Sequence, residues 1–283
     1  MPLKPAPISL SEAIALAPKL CQQVCLIAEQ AARYIESQYG RVKPHDIDEK
    51  TRNNLVSYVD KNAEQQIVAA LRPLLPNAGF ITEEDTATES GTSPLRWVID
   101  PLDGTTNFLY HIPVFSVSIA LLYDQQPIVG VVYDVCRREC FAAWYGGGAY
   151  LNGVPFSMGN CRQLSDAIIA TGFPYYDFSR LEPYINALRY LVLHTRGVRR
   201  LGSAAIDLCY VACGRYDAFF EHALHAWDVA AGILITQEAG GIVSDFEGGN
   251  DYLFGKQIVA ANHHLMPDFI HIMRQYFAAT ELS

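Results

Sequence analysis

The sequence has no excess of positive charge. Its 21 Lys and Arg residues stand against 30 Asp and Glu, a net charge of −9, which argues against binding nucleic acid through a basic face. No run approaches the roughly 20 apolar residues that span a bilayer, and the N-terminal MPLKPAPISL has prolines where a secretory signal carries its apolar region. Neither membrane nor nucleic acid is therefore an expected partner. No CxxC is present: the seven cysteines fall as Cys21/Cys25, Cys136/Cys140 and Cys209/Cys213, with Cys161 alone. An odd count among apolar neighbours reads as small core residues in a reducing cytoplasm, not as disulfides or a thiolate metal site. There is no G-x-G-x-x-G and no P-loop lysine, so GGGAY (Gly146–Tyr150) reads as a hairpin turn, not a phosphate cradle. Internal repeats and low-complexity segments are absent as well.

What is present suits a large core: 50% of the 283 residues are hydrophobic and 18% charged, enough for one big domain or two packed halves. Ser9 and Glu12 form an S-x-x-E capping box. Val24, Ile27, Ala28, Ala31, Tyr34 and Ile35 then recur at helical spacing as far as Gly40. A second helical pattern begins at Asp60 and carries Ala63, Ile67, Ala70 and Leu71, closed by Pro73 and Pro76. GFITEED and RWVIDPLD are short apolar runs that end on acids, and residues 115–153 read as an antiparallel meander. After Pro155 the rhythm alternates: strand SDAIIATGF, helix Arg180–Thr195, helix GSAAIDLCYVACG, strand RYDAFFE, helix AWDVAAGILITQEAGG, then strands GIVSDF and QIVAAN. This predicts α+β followed by α/β, in two layered halves, 1–155 and 156–283.

The candidate site residues share a position, at the ends of buried elements. They are Asp60, Glu83 (with Glu84 and Asp85), the pair Asp100/Asp103, and Asp228 after Trp227. Each alone reads as a turn or cap residue, but D-P-x-D-G-T-T is denser than capping requires. Five carboxylates in one cleft cannot all stay ionised unaided. Hard divalent cations relieve the conflict, since Mg²⁺ prefers carboxylate and carbonyl oxygens. Two or three such ions would leave a net positive site able to hold phosphate. Gly104 allows close backbone approach, and the amides after it can face phosphate oxygens. A two-metal arrangement stabilises both the attacking and the leaving oxygen of an in-line displacement. A phosphoaspartyl mechanism, which needs D-x-D, is disfavoured by the D-x-x-D spacing. His222 and His225 lack a third soft ligand nearby and read as structural.

WVIDPLDGTTNF and WDVAAGILITQEAGG, with KTRNNLVSYVD (Lys50–Asp60) and GFITEE in order before them, resemble the motifs of the inositol monophosphatase family, Mg²⁺-dependent phosphomonoesterases. The resemblance spans nearly the whole chain. It implies the layered αβαβα sandwich of the inositol monophosphatase and fructose-1,6-bisphosphatase type, with metals between the halves, lithium sensitivity and a homodimer. Carried over residue by residue, Glu83, Asp100 and the Leu102 carbonyl resemble the ligands of a first metal. Asp100, Asp103 and Asp228 resemble those of a second, and Glu83 would help hold a third. Thr105, oriented by Asp60 and assisted by Glu83, looks like the group that activates water, and the Gly104 and Thr105 amides would bind phosphate. Glu221 and the Ala204 backbone match contacts to inositol hydroxyls, while Tyr175 and Tyr176 have no assignable role. The expected reaction is hydrolysis of a polyol or sugar phosphate, inositol 1-phosphate first. The alternatives are a 3'(2'),5'-bisphosphate nucleotidase or fructose-1,6-bisphosphatase of the same superfamily, and, from another class, a scaffold that keeps only the fold.

Overall fold

The computed structural model describes residues 8–51, 54–87, 93–174 and 177–277; Arg52, Asn53, Tyr175 and Tyr176 lie outside them. Helix α1 (Leu10–Gln38) carries the expected capping box: the Glu12 amide donates to Ser9 Oγ at 3.4 Å and the Ser9 amide to Glu12 at 2.8 Å. One face, including Ala17, Val24, Ala28 and Ile35, is wholly buried. By length and composition α1 could cross a bilayer, a correction to the reading that no segment qualifies. Its alanines keep hydropathy high without a continuous run of large apolar side chains, and its buried face forms part of the core. A two-stranded antiparallel sheet that the pattern did not reveal, β1 (Ile47–Thr51) and β2 (Asn54–Ser57), leads into α2 (Tyr58–Leu71). Ser57 caps α2, so Asp60 falls within its first turn.

Strand β3 (Gly79–Thr82) lies parallel to β4 (Leu95–Asp103). After the short α3 (Thr105–Leu109) come β5 (Ser116–Tyr123), β6 (Gln126–Asp134), β7 (Glu139–Trp144), β8 (Ala149–Leu151) and β9 (Val154–Phe156). They form the expected meander, and the seven strands run in order β3-β4-β5-β6-β7-β8-β9. GGGAY lies at the turn from β7 into β8, where the Gly146 and Gly148 amides donate to the Glu238 carboxylate.

The later elements are β10 (Ile168–Thr171), α4 (Leu181–His194), β11 (Gly197–Arg199), α5 (Ala204–Ala212), β12 (Ala218–His222), α6 (Ala226–Glu238), β13 (Ile242–Ser244), β14 (Gln257–Ala261) and α7 (Met266–Phe277). Their five strands order as β11-β10-β12-β14-β13, with β10 parallel to β11 and β12 and the other pairs antiparallel. Helix α7 was not anticipated, although Phe269, Ile272, Met273 and Phe277 recur at helical spacing and are buried.

Three apolar clusters define five layers. The first joins α1 and α2 to one face of the seven-stranded sheet. The second packs α5 and α6 between the two sheets, and the third packs α4 and α7 on the outer face of the five-stranded sheet. This is the αβαβα sandwich. All seven cysteines are free; Cys21 and Cys209 are core residues as expected, whereas Cys136 is exposed. The opening of the site is set by the ends of β4 and β12 and the starts of α3, α5 and α6.

Candidate active site

Why two acids end a buried strand is answered by register. On β4, Asp100 pairs with Ser118 of β5, and Asp103 pairs with Ser116, so one extra residue is inserted on β4. Side chains alternate along a regular strand, and residues three apart face opposite sides. The bulge turns Asp103 back to the face of Asp100. Pro101, which has no N–H to donate, sits inside the bulge where no ladder bond is lost. Asp100 Oδ1 accepts from the Leu102 amide at 2.9 Å. Asp228 arrives from the first turn of α6, its Oδ2 accepting from the His225 amide at 2.6 Å. An oxygen from each of Asp100, Asp103 and Asp228 thereby lies within 4.8 Å of the other two.

Bringing these charges together out of water raises all three. Burial pushes Asp100 well above the usual carboxylate range, and the charges of Glu83, Asp103 and Asp228 add to it. Burial and Asp103 do the same to Asp228. Asp103 is held lower, at about 6: burial raises it, but Ser203 Oγ donates to Oδ2 at 2.6 Å and the Ala205 amide at 2.8 Å. That pair of bonds ties the end of β4 to the start of α5. A cluster of oxygen ligands that raise one another in this way is the donor set a hard divalent cation fits, because the ion replaces the missing counter-charge.

Beside the cluster, Asp60 is fully buried. Its Oδ1 accepts from Thr105 Oγ1 at 2.9 Å, and its Oδ2 accepts from the Ser57 amide and hydroxyl at 2.8 Å each. Thr105 Oγ1 is also 3.0 Å from the Leu102 carbonyl. Burial raises Asp60, and the hydrogen bonds from Ser57 and Thr105 partly offset it. Gly104 supplies the turn into α3 at φ 99°, where a Cβ would come within 3.0 Å of the Val114 carbonyl.

Two supporting residues escaped the sequence reading. Glu64, wholly buried on α2, accepts from the Glu84 amide at 2.8 Å, the Thr86 amide at 2.9 Å and the Thr86 hydroxyl at 2.7 Å. It fixes the turn that presents Glu83, whose own amide donates to Ile99 at 3.3 Å. Its only signal is the spacing of four from Asp60, which puts both acids on one helical face. Asn107 donates to the carbonyls of Val114 at 2.8 Å and Leu201 at 2.9 Å, joining α3 to the loop before α5.

These elements enclose a cavity of about 360 Å³. Among the expected residues, Glu83, Asp103, Gly104 and Thr105 line it on one side, and Ala204, Glu221 and Asp228 on the other. Asp60, Asp100 and Leu102 stand behind this lining, joined to it through the bonds above. Burial pushes Glu221 up to about 8 against the pull of Arg200. Gly172 makes room for it, since a Cβ there would fall 1.9 Å from Glu221 Oε1. His222 and His225, expected to be structural, both line the cavity. His225 stacks on Trp227 at 4.4 Å between centroids.

The inositol monophosphatase family model matches residues 18–277. Nus factor SuhB of Escherichia coli (strain K12) is 43% identical over 247 residues, 87% of this chain and 92% of that protein. The inositol-1-monophosphatase of Mesorhizobium japonicum is 40% identical over 252 residues, 89% of this chain and 95% of its own length. The crystal structure of extragenic suppressor protein suhB from Bartonella henselae shares 39% identity at a TM-score of 0.87, covering 91% of this chain and 99% of that one. With these likenesses running through both sheets and the carboxylate cluster between them, the chain belongs to the inositol monophosphatase family of metal-dependent phosphomonoesterases.

Proposed function

We propose that the chain hydrolyses a small polyol or sugar phosphate, inositol 1-phosphate first among them, with Mg²⁺ and by direct attack of water. The observation that carries this is the approach of Asp100, Asp103 and Asp228 within 4.8 Å beside the Thr105–Asp60 hydrogen bond. Asp100, Glu83 and the Leu102 carbonyl would hold one ion; Asp100, Asp103 and Asp228 a second, with Glu83 helping to hold a third. When bound, the ions supply positive charge against the phosphate and leaving oxygens and make water more acidic.

The chain's own residues do the rest. Thr105 Oγ1 donates to Asp60, and that bond turns the lone pairs of the Thr105 oxygen towards the cavity to accept from the attacking water. As the water oxygen forms its bond to phosphorus, the water's proton passes to Thr105 and Thr105's own to Asp60, while the ester P–O bond breaks and the leaving oxygen takes up a proton from solvent in the cavity. Burial raises Asp60, which suits it to receive that proton. Glu83 assists in orienting the water, and the Gly104 and Thr105 amides bind phosphate oxygens. Glu221 and the Ala204 backbone face the leaving group, where a desolvated carboxyl favours a hydroxyl-rich partner over an apolar one.

The reading also places the enzyme in the cytoplasm as a homodimer, which light scattering of the purified protein tests. The functional test is phosphate release with Mg²⁺ from inositol 1-phosphate, fructose 1,6-bisphosphate and adenosine 3',5'-bisphosphate. Preference for the first supports the polyol assignment; preference for the last replaces it with the nucleotidase. The Escherichia coli relative is named a Nus factor, and release from none of the esters would favour a binding protein that keeps the fold.

A further inference from the structure

The cavity has a second buried acid that the reaction outlined above does not use. Asp207, in the first turn of α5, is 1% exposed and lines the cavity together with Glu221 and Arg200. Its Oδ1 is buried and has no hydrogen-bond partner. A buried polar atom left unpaired is costly, so it calls for an explanation. Asp207 is not one of the three carboxylates that approach within 4.8 Å, so the metal cluster does not supply one. Nor does the helix: an acid in the first turn can complement the helix dipole from an exposed position, where it keeps its hydration.

Its neighbours suggest what does. Glu221 reaches the same wall from β12, in the space that Gly172 leaves free. Arg200, also on the wall, lies with its guanidinium 5.5 Å from the centroid of Phe173. Two acids and a guanidinium from separate elements offer several hydrogen-bonding groups within one concave surface. A molecule with adjacent hydroxyls, each both donor and acceptor, matches that surface. Burial raises Asp207 well above the usual range and the charge of Glu221 adds to it, while Arg200 pulls the other way.

We propose that Asp207 is a specificity residue that hydrogen-bonds a hydroxyl of the leaving group beside Glu221. This rests on the polyol phosphate reading and extends it. Asp207 touches no water or phosphate in the reaction, so it governs which ester binds and leaves the chemistry alone.

The test compares wild type with Asp207→Asn and Asp207→Leu, measuring kcat and KM with Mg²⁺ on inositol 1-phosphate and on p-nitrophenyl phosphate, which has no ring hydroxyls. For inositol 1-phosphate, kcat/KM should fall roughly 10- to 100-fold, mostly through KM. For p-nitrophenyl phosphate it should change less than about 2-fold, which also reports that each variant is folded. Melting temperatures should not drop for Asp207→Asn, because an unpartnered buried acid has been removed. If wild type does not prefer inositol 1-phosphate, the polyol reading and this proposal fall together. If it does, and the variants harm both esters alike or neither, only the role of Asp207 is overturned.

Discussion

Asp60 and Glu64 stand one turn apart on α2 and each holds a different loop of the site. Asp60 accepts from Thr105 at 2.9 Å, and Glu64 accepts from the Glu84 amide at 2.8 Å. A single helix, held against the sheet by Val59, Ala63, Ile67 and Leu71, therefore positions both the hydroxyl next to the attacking water and the turn that carries Glu83. The rigidity of α2 becomes a catalytic property.

Thr105→Ala removes the hydroxyl while leaving the cavity lining in place. Since the contact matters mainly in the transition state, kcat should fall about 10²-fold or more for every phosphate ester, with KM nearly unchanged. Steady-state kinetics on two chemically unlike esters check this. A loss confined to one ester would remove Thr105 from the chemistry.

Glu64→Gln replaces one carboxylate oxygen with an amide nitrogen facing N–H or O–H donors. Stability should drop by roughly 1–3 kcal/mol, and the Mg²⁺ concentration for half-maximal activity should rise about 10-fold as the Glu83 turn loosens. A Mg²⁺ titration separates the two effects: an unchanged midpoint in a destabilised protein would leave Glu64 with a folding role alone.

Asp103→Asn keeps the volume and the acceptor for Ser203 but removes one charge from the cluster. Activity should fall at least about 10²-fold, with the circular dichroism spectrum unchanged. Without metal the variant should melt no lower than wild type, because a raised buried carboxyl has been neutralised. Near-normal turnover would make Asp103 a turn residue only.

Glu221 links pH to stability. Its folded value of about 8 lies above the unfolded value of about 4.3, so between the two the folded state binds more protons. Stability from this group is therefore lost as pH rises through that window. Glu221→Gln cannot ionise, and its melting temperature relative to wild type should climb steadily from about pH 5 to about pH 8. Calorimetry in EDTA at several pH values checks this, and a constant difference would contradict it.

Much of this site was legible because its residues sit in dense strings. D-P-L-D-G-T-T places Asp100, Asp103, Gly104 and Thr105 within six positions, and W-D before an apolar helix places Asp228. The bulge that makes the spacing work was not legible: it depends on the pairing of β4 with Ser116 and Ser118 of β5, a long-range register that no local pattern records. Glu64 and Asp207 were missed for a related reason. A lone acid on a helix reads as a solvated face, and only packing reveals that both are buried. The strands of the meander announced themselves by apolar runs between turn residues, whereas β1 and β2 consist largely of polar residues and gave no such signal.

The central claim is that the clustered carboxylates hold divalent cations without which phosphate esters are not cleaved. The most direct measurement is phosphate release from inositol 1-phosphate by the purified wild-type chain, first in excess EDTA and then after Mg²⁺ is restored. The expected result is no turnover in EDTA and full recovery with Mg²⁺, since without the cation a phosphate dianion would meet a cleft of like charge. Turnover that continues undiminished in EDTA would contradict it.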